Sequence, residues 1–263
     1  MDEHQLTPLG HFRSPFKNFL EAPRQPTHEI PDSYIELLPQ HQFEQALEDL
    51  DGFDRIWVIF QFHLKNQWRP KVMPPRGSLQ KRGVFATRSP LRPNNLGLSC
   101  LQLKKISGLK VFVTGSDLLE GTPIFDIKPY LPYTDSFPNA KTGWLEGIEK
   151  DRFQIIWSES VLAAKSWLAL KCLFLDSMIE NQLEFDPMNA EKKRVRPADI
   201  ENEWIFSYRT WRILFKIQPL EKKIIVLKIF SGYSVSELCE GADPYQDKNI
   251  HLEFIKLFGR ELV

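Results

Sequence analysis

The chain lacks most of the local signatures that mark common enzyme classes. It has no GxGxxG and no P-loop, which excludes the dinucleotide-binding and phosphate-loop architectures. A nucleophile elbow is also missing, as are paired-carboxylate motifs and the Cys/His spacings of a zinc site, so no metal is expected. Its three cysteines, Cys100, Cys172 and Cys239, are odd in number and far apart, which reads as reduced thiols in a cytoplasmic protein. No apolar run approaches the roughly 18 residues of a membrane span. The opening MDEHQLTPLG lacks the basic start and apolar stretch of a secretion signal.

Charge of one sign is missing twice, and locally. Gln25 to Asp54 holds eight acids and no Lys or Arg. Arg55 to Ser116 holds twelve bases and no acid, although the whole chain is neutral. Such segregation arises where oppositely charged strands face each other. It also arises on a basic surface built for a phosphate backbone.

The remaining pattern reads as two regions. In the first, short β-branched or aromatic runs alternate with Pro/Gly loops. Arg55 to His63, RIWVIFQFH, is the plainest strand, and Glu29–Leu38, Gly83–Thr87, Ser99–Ile106, Leu109–Thr114 and Thr122–Ile127 are others. Ser107-Gly108 predicts a hairpin turn, Phe43 to Leu50 a short helix, and Gln67 to Gly77 a loop. The spacing predicts a small antiparallel β-barrel or sandwich over residues 1–150. A small α+β domain is expected over 151–263. It would hold a strand at Arg152–Trp157, a long helix capped by Ser158 or Ser160 and running to about Asn181, and a charged linker at Asp186–Asp199. Two apolar segments, Trp204–Ile217 and Lys223–Phe230, would pair as a hairpin, followed by a terminal helix over Asp247–Phe258.

The stretch from Gly83 to Ser99, GVFATRSPLRPNNLGLS, concentrates the chemistry. Prolines after Ser89 and Arg92 restrict φ at the proline and push the preceding residue towards extended backbone. A stiff loop carrying Arg88 and Arg92 suits recognition of anions or carboxylates; the alternative is a structural loop whose arginines cap carbonyls. Pro23-Arg24-Gln25 is a second proline-pinned arginine, and Phe12-Arg13-Ser14-Pro15 reads as a surface turn. In SDLLEGTPIFD the turn at Asp117–Glu120 offers an acid beside free backbone groups, as a nucleoside would need, or is an ordinary hairpin turn. Asp126, Lys128 and Tyr130 alternate on a strand and so share a face, either as a proton-transfer cluster or as a salt bridge. His63 ends a strand, where a structural role competes with a functional one. Trp68, among bases, is a stacking platform or a loop anchor.

Taken in order, GHFRSPF, APRQP, RIWVIFQFH with WRPKVMPPR, GVFATRSPLRPNNLGLS and LLEGTPIFDIKPYLPY resemble the TsaA-like, or TrmO, family of tRNA methyltransferases over about residues 8–137. After residue 150, YRTWRILFKI and DPYQDKNIH resemble that family's small C-terminal domain. The resemblance implies a mainly β, non-Rossmann barrel that binds S-adenosyl-L-methionine and works as a cytoplasmic homodimer. It implies methylation of N6 of threonylcarbamoyladenosine at position 37 of tRNA, with the anticodon loop as partner. Carried over by position, the cofactor contacts are Pro23, Arg24, Gln25, His63, Leu64, Arg88, Leu98, Asp117, Leu118, Leu119 and Glu120. Asp126, Lys128 and Tyr130 become the candidates for proton handling. A non-catalytic RNA-binding module using the basic face of residues 55–116 is the competing reading.

Overall fold

The computed structural model describes residues 5–17, 22–23, 26, 33–64, 67–74, 80–146, 152–171, 173, 175–185, 187–188 and 194–259. The chain divides into two compact units, residues 1–144 and 145–263. Among the described residues eight strands lie in the first: β1 (Gly10–Arg13), β2 (Ser33–Leu37), β3 (Arg55–Gln61), β4 (Lys71–Val72), β5 (Arg82–Gly83), β6 (Leu96–Ser107), β7 (Lys110–Thr114) and β8 (Pro123–Pro129). Six of them close into an antiparallel barrel in the order β1-β2-β7-β6-β3-β8. Closure removes the sheet edges that would otherwise invite pairing with another chain.

Period-two alternation decides what faces inward. Ile56, Val58 and Phe60 of β3 point into the barrel, with Leu101 and Leu103 of β6 and Val111 and Val113 of β7. Each such side chain stabilises the fold by roughly 1.5–3 kcal/mol on burial. Phe60 pairs with Gly97, and a Cβ on Gly97 would run into the Phe60 ring. The glycine therefore lets the ring lie flat against the β6 backbone. A bulge between Ile59 and Phe60 in the β3–β8 pairing keeps Ile124 and Ile127 turned to the core while Asp126 and Lys128 turn outward.

Several sequence expectations need correction. Gly83–Thr87 is not a strand: β5 ends at Gly83 and a 3₁₀ turn covers Val84–Ala86. Thr87 explains this, because its Oγ1 and N–H both bond back to the Val84 carbonyl and compete with a ladder. The expected loop 67–77 contains β4, paired with β5. The helix at 43–50 shortens to Phe43–Ala46 plus a 3₁₀ turn at Leu50–Gly52, with Asp49 at φ 65° between them. The hairpin at Ser107-Gly108 is present: Ser107 pairs with Lys110, and Gly108 takes the φ of 56° that the turn needs.

The second unit is α+β. Its strands are β9 (Gln154–Trp157), β10 (Val195–Pro197), β11 (Glu203–Tyr208), β12 (Trp211–Gln218) and β13 (Lys223–Ser231), in the order β10-β11-β12-β13-β9. All pairs are antiparallel except β9 with β13. The single long helix is in fact two, Glu159–Leu170 and Leu175–Leu183, because the Lys171 and Leu173 N–H groups both turn back to the Leu168 carbonyl. Ser158 occupies the N-cap position, but its hydroxyl meets Ser160 Oγ rather than the helix N–H groups. The apolar run 204–217 folds back on itself as β11 and β12, with Arg209 at φ 49° in the turn. Part of the expected linker is strand β10. The terminal helix runs Lys248–Phe258 and buries Phe254.

A buried polar network lies in this second core. Thr210 Oγ1 donates to Asp247 Oδ2 at 2.6 Å, and Tyr233 OH donates to Asp247 Oδ1 at 3.0 Å. The one hydroxyl proton of Thr210 is thereby used, so His251 Nε2–H is the donor in the 2.9 Å contact with Thr210 Oγ1. His251 is fully buried, stacks on Trp211 at 3.8 Å between centroids, and has no hydrogen-bond partner at Nδ1 among the described residues. Burial pushes its pKa down to about 4, and the nearby Arg212 adds to that, against the pull of Asp247 and Asp243.

Candidate active site

The loop after β5 is stiffer than its prolines alone would make it. Arg92 Nη1 donates to the carbonyls of Thr87 (2.9 Å) and Val84 (3.3 Å). Ser89 N–H donates to Thr87 Oγ1, and Leu91 N–H to Ser89 Oγ. The loop is then tied outward, by Arg69 N–H to the Leu91 carbonyl and Phe62 N–H to the Asn95 carbonyl. Arg92 is therefore a structural clamp that caps carbonyls. Arg88 differs: it is exposed, and among the described residues no hydrogen bond holds its guanidinium.

Arg88 acts on Asp117, which belongs to the turn between β7 and β8. Ser99, buried on the inner face of β6, donates from Oγ to Asp117 Oδ1 at 2.7 Å. Burial pushes the Asp117 carboxyl up to about 6. The Ser99 hydroxyl, the Asp117 N–H and the charge of Arg88 pull the other way. Two segments that the sequence keeps apart, the arginine loop and the acidic turn, thus meet electrostatically.

Most N–H groups of that turn are engaged. Leu118 N–H donates to Ser116 Oγ, Glu120 N–H to the Phe16 carbonyl, Gly121 N–H to the Phe12 carbonyl and Thr122 N–H to the Leu119 carbonyl. Leu119 N–H has no acceptor among the described residues. The Leu118 side chain is buried in the barrel core. The Glu120 carboxylate is occupied, accepting from Ser14 N–H at 2.7 Å and from Arg13 Nη1 at 3.1 Å. Arg13 also reaches Glu36, so the FRSP segment ties β1, β2 and this turn together rather than forming an idle surface turn.

His63 lies just beyond β3, with Nδ1 3.5 Å from the hydroxyl of buried Thr122. Its pKa is lowered, mainly by burial and in part by His11, while the Gln61 carbonyl opposes the shift. Burial therefore favours the neutral ring. Pro23 is buried, whereas Arg24 and Gln25 lie outside the described residues. Leu64 is 54% exposed.

Other predicted residues sit elsewhere on the barrel. Leu98 alternates with Ser99, so it faces outward, 57% exposed, paired across the ladder with Ile59. Ile59 pairs on its other side with Asp126. Leu98 and Asp126 are thus two strand spacings apart, about 10 Å, on one outer face. Asp126 and Lys128 form a 3.0 Å ion pair, exposed enough to contribute little to stability. Tyr130 packs against Trp57 at 5.7 Å, and Trp57 Nε1 donates to Asp135. These outward residues share a face with one another, and Asp117 with Ser99 forms a separate, inward group.

Sequence reasoning missed Ser99, Thr122 and His11. Ser99 had one signal, its alternation with Leu98 on a barrel strand; Thr122 and His11 had none before the register was known. Among the described residues there is no group of His, Cys, Asp and Glu that would hold a metal ion, and no helix is long and apolar enough to cross a membrane.

The model of the tRNA-methyltransferase O N-terminal domain matches residues 11–136. Over 235 residues the chain is 32% identical to the tRNA (adenine(37)-N6)-methyltransferase of Escherichia coli K12, spanning 85% of this chain and 100% of that protein. It is 37% identical over 141 residues to a Pyrococcus abyssi protein named "Probable S-adenosyl-L-methionine-binding protein", covering 53% of this chain and 74% of the relative. A crystal structure of TrmO from Pseudomonas aeruginosa matches with a TM-score of 0.59 at 29% identity, over 88% of this chain and 99% of that one.

Proposed function

This chain belongs to the tRNA-methyltransferase O family, and from that premise we propose that it is a tRNA N6-methyltransferase. It transfers a methyl group from S-adenosyl-L-methionine to N6 of threonylcarbamoyladenosine at position 37, beside the anticodon. The carrying observation is a partly buried Asp117 carboxyl held by Ser99, on which the charge of the exposed Arg88 acts. S-adenosyl-L-methionine, when bound, supplies an electrophilic methyl group on a cationic sulfur, and its amino-acid tail is a zwitterion. One free cation on a stiff loop and one anchored acceptor suit such a tail. Arg88 has a free guanidinium for the carboxylate, and Asp117 has a carboxyl that ionises more readily beside an ammonium group. Leu119 N–H, without an acceptor among the described residues, suits the edge of an adenine. Arg24, Gln25, His63, Leu64 and Leu98 complete the proposed contacts.

The acceptor nitrogen belongs to a urea-like group whose lone pair is delocalised. The chain must therefore hold it in line and accept its proton. Asp126, paired with Lys128 and beside Tyr130, is the proposed proton acceptor. The acid-free span from Arg55 to Ser116 supports an RNA-binding role, with phosphates neutralised by its bases. The barrel unit carries this chemistry; the working form is proposed to be a homodimer in the cytoplasm, where tRNA is modified.

Mass spectrometry of tRNA nucleosides from cells with and without the gene tests the proposal. Loss of the methylated threonylcarbamoyladenosine on deletion is the expected result. Its persistence, together with tRNA binding but no methyl transfer by the pure protein, would establish the RNA-binding module instead.

A further inference from the structure

One exposed aromatic ring is unused by that reading. Phe85 sits in the middle of the 3₁₀ turn Val84–Ala86 and is 77% exposed. The backbone on both sides of it is fixed. Val84 N–H donates to the Pro70 carbonyl at 3.0 Å, and the Val84 carbonyl accepts from Thr87 N–H, Thr87 Oγ1 and Arg92 Nη1. The Ala86 carbonyl accepts from Trp144 Nε1 at 2.7 Å. A large apolar ring held in water on a backbone pinned at both neighbours is preorganised for a partner.

The surroundings indicate which partner. The Arg92 guanidinium lies 5.7 Å from the ring centroid, and Lys81, Arg82 and Arg88 are close in sequence, with no acid between Arg55 and Ser116. Phe85 and Arg88 are three residues apart, so their Cα atoms are separated by no more than about 11 Å. A flat π-face beside cations matches an unstacked base with its attached phosphate, the arrangement of single-stranded RNA loops. An apolar peptide would gain nothing from the cations.

We propose that Phe85 is a stacking platform for a base of the tRNA anticodon loop, with Arg92 holding its edge and clamping the turn beneath it. This rests on the tRNA methyltransferase reading.

The test uses the full-length protein and an anticodon stem-loop RNA carrying threonylcarbamoyladenosine, with a blunt RNA duplex as control. Stacking on a protein aromatic corresponds to a loss of roughly 5- to 150-fold in affinity when the ring is removed. Phe85→Leu should weaken stem-loop binding and raise the KM for tRNA by that amount. Its melting temperature and its calorimetric affinity for S-adenosyl-L-methionine should match wild type. Phe85→Trp should keep binding, and its added emission should be quenched by the stem-loop and not by the duplex. Stem-loop affinity of Phe85→Leu within twofold of wild type would overturn the proposal. So would conversion of a dimer to a monomer by Phe85→Leu, which would put the ring between two copies of the chain. A wild-type protein that methylates tRNA while Phe85→Leu does so equally removes this inference alone. A protein that binds the stem-loop through Phe85 and transfers no methyl group removes the enzymatic reading and leaves the platform.

Discussion

Ser99 Oγ donates to Asp117 Oδ1 at 2.7 Å across eighteen residues of chain. This bond anchors the acidic turn to the inner face of β6 and holds a partly buried carboxyl that also feels the charge of Arg88. Its consequences are measurable through pH.

Burial holds the Asp117 pKa at about 6, above its ordinary 3.8. Between those values the unfolded chain has released a proton that the folded chain retains. Stability of the barrel unit therefore falls as pH rises through this window and stays lowered above it. Asp117→Asn should remove that fall, gaining roughly 1–3 kcal/mol at pH 7.5 and little at pH 3.5. Ser99→Ala, which takes a donor from the carboxylate, should deepen it. Urea unfolding at the two pH values reads both variants, and a pH-independent difference for Asp117→Asn would contradict the buried-carboxyl account. Cofactor affinity in Asp117→Asn should drop even as stability rises.

Arg88 and Arg92 are four residues apart and should fail differently. Arg88→Ala should weaken S-adenosyl-L-methionine binding by about 1.5–3 kcal/mol, the scale of a lost hydrogen bond to a charged group, with melting unchanged. Arg92→Ala removes the donor to the Thr87 and Val84 carbonyls and should lower stability by about 1–2 kcal/mol while loosening the loop. Calorimetry beside thermal melting separates the two. Equal small losses of cofactor affinity would mean that Arg88 is only structural.

His251 makes the second unit respond to acid in the opposite sense to Asp117. Its pKa is depressed to about 4 from 6.5, so between these values the unfolded chain binds the proton that the folded core refuses. Stability is full above about 6.5 and is lost as pH falls towards 4, by roughly 2–3 kcal/mol. His251→Phe keeps a ring against Trp211 and removes the titration. Its unfolding free energy between pH 4 and 6.5 should lose most of that slope, and an unchanged slope would place the acid sensitivity elsewhere.

Much of the barrel was legible in sequence because β-branched and aromatic runs bounded by Pro/Gly turns are local signals. RIWVIFQ announces β3 as a β-branched and aromatic run, and Ser107-Gly108 announces the β6–β7 turn, where Gly108 takes a positive φ. Helix and strand limits were harder. The break after Leu170 comes from backbone bonds to Leu168, and the turn at Arg209 interrupts an apolar run with no Gly or Pro to mark it. The site was half legible. The arginine loop and the acidic turn stand out by composition, yet which arginine is clamped and which is free does not.

The amino-acid sequence by itself determined several strand runs of the barrel, the stiff loop and the acid-free span, since these follow from β-branched and aromatic composition, proline and charge. Only the tertiary structure decided that Ser99 meets Asp117, that Arg13 occupies Glu120 from 107 residues away, and that Phe85 stands in water. Those contacts depend on strand order and register, which closure of the barrel sets and local propensity does not.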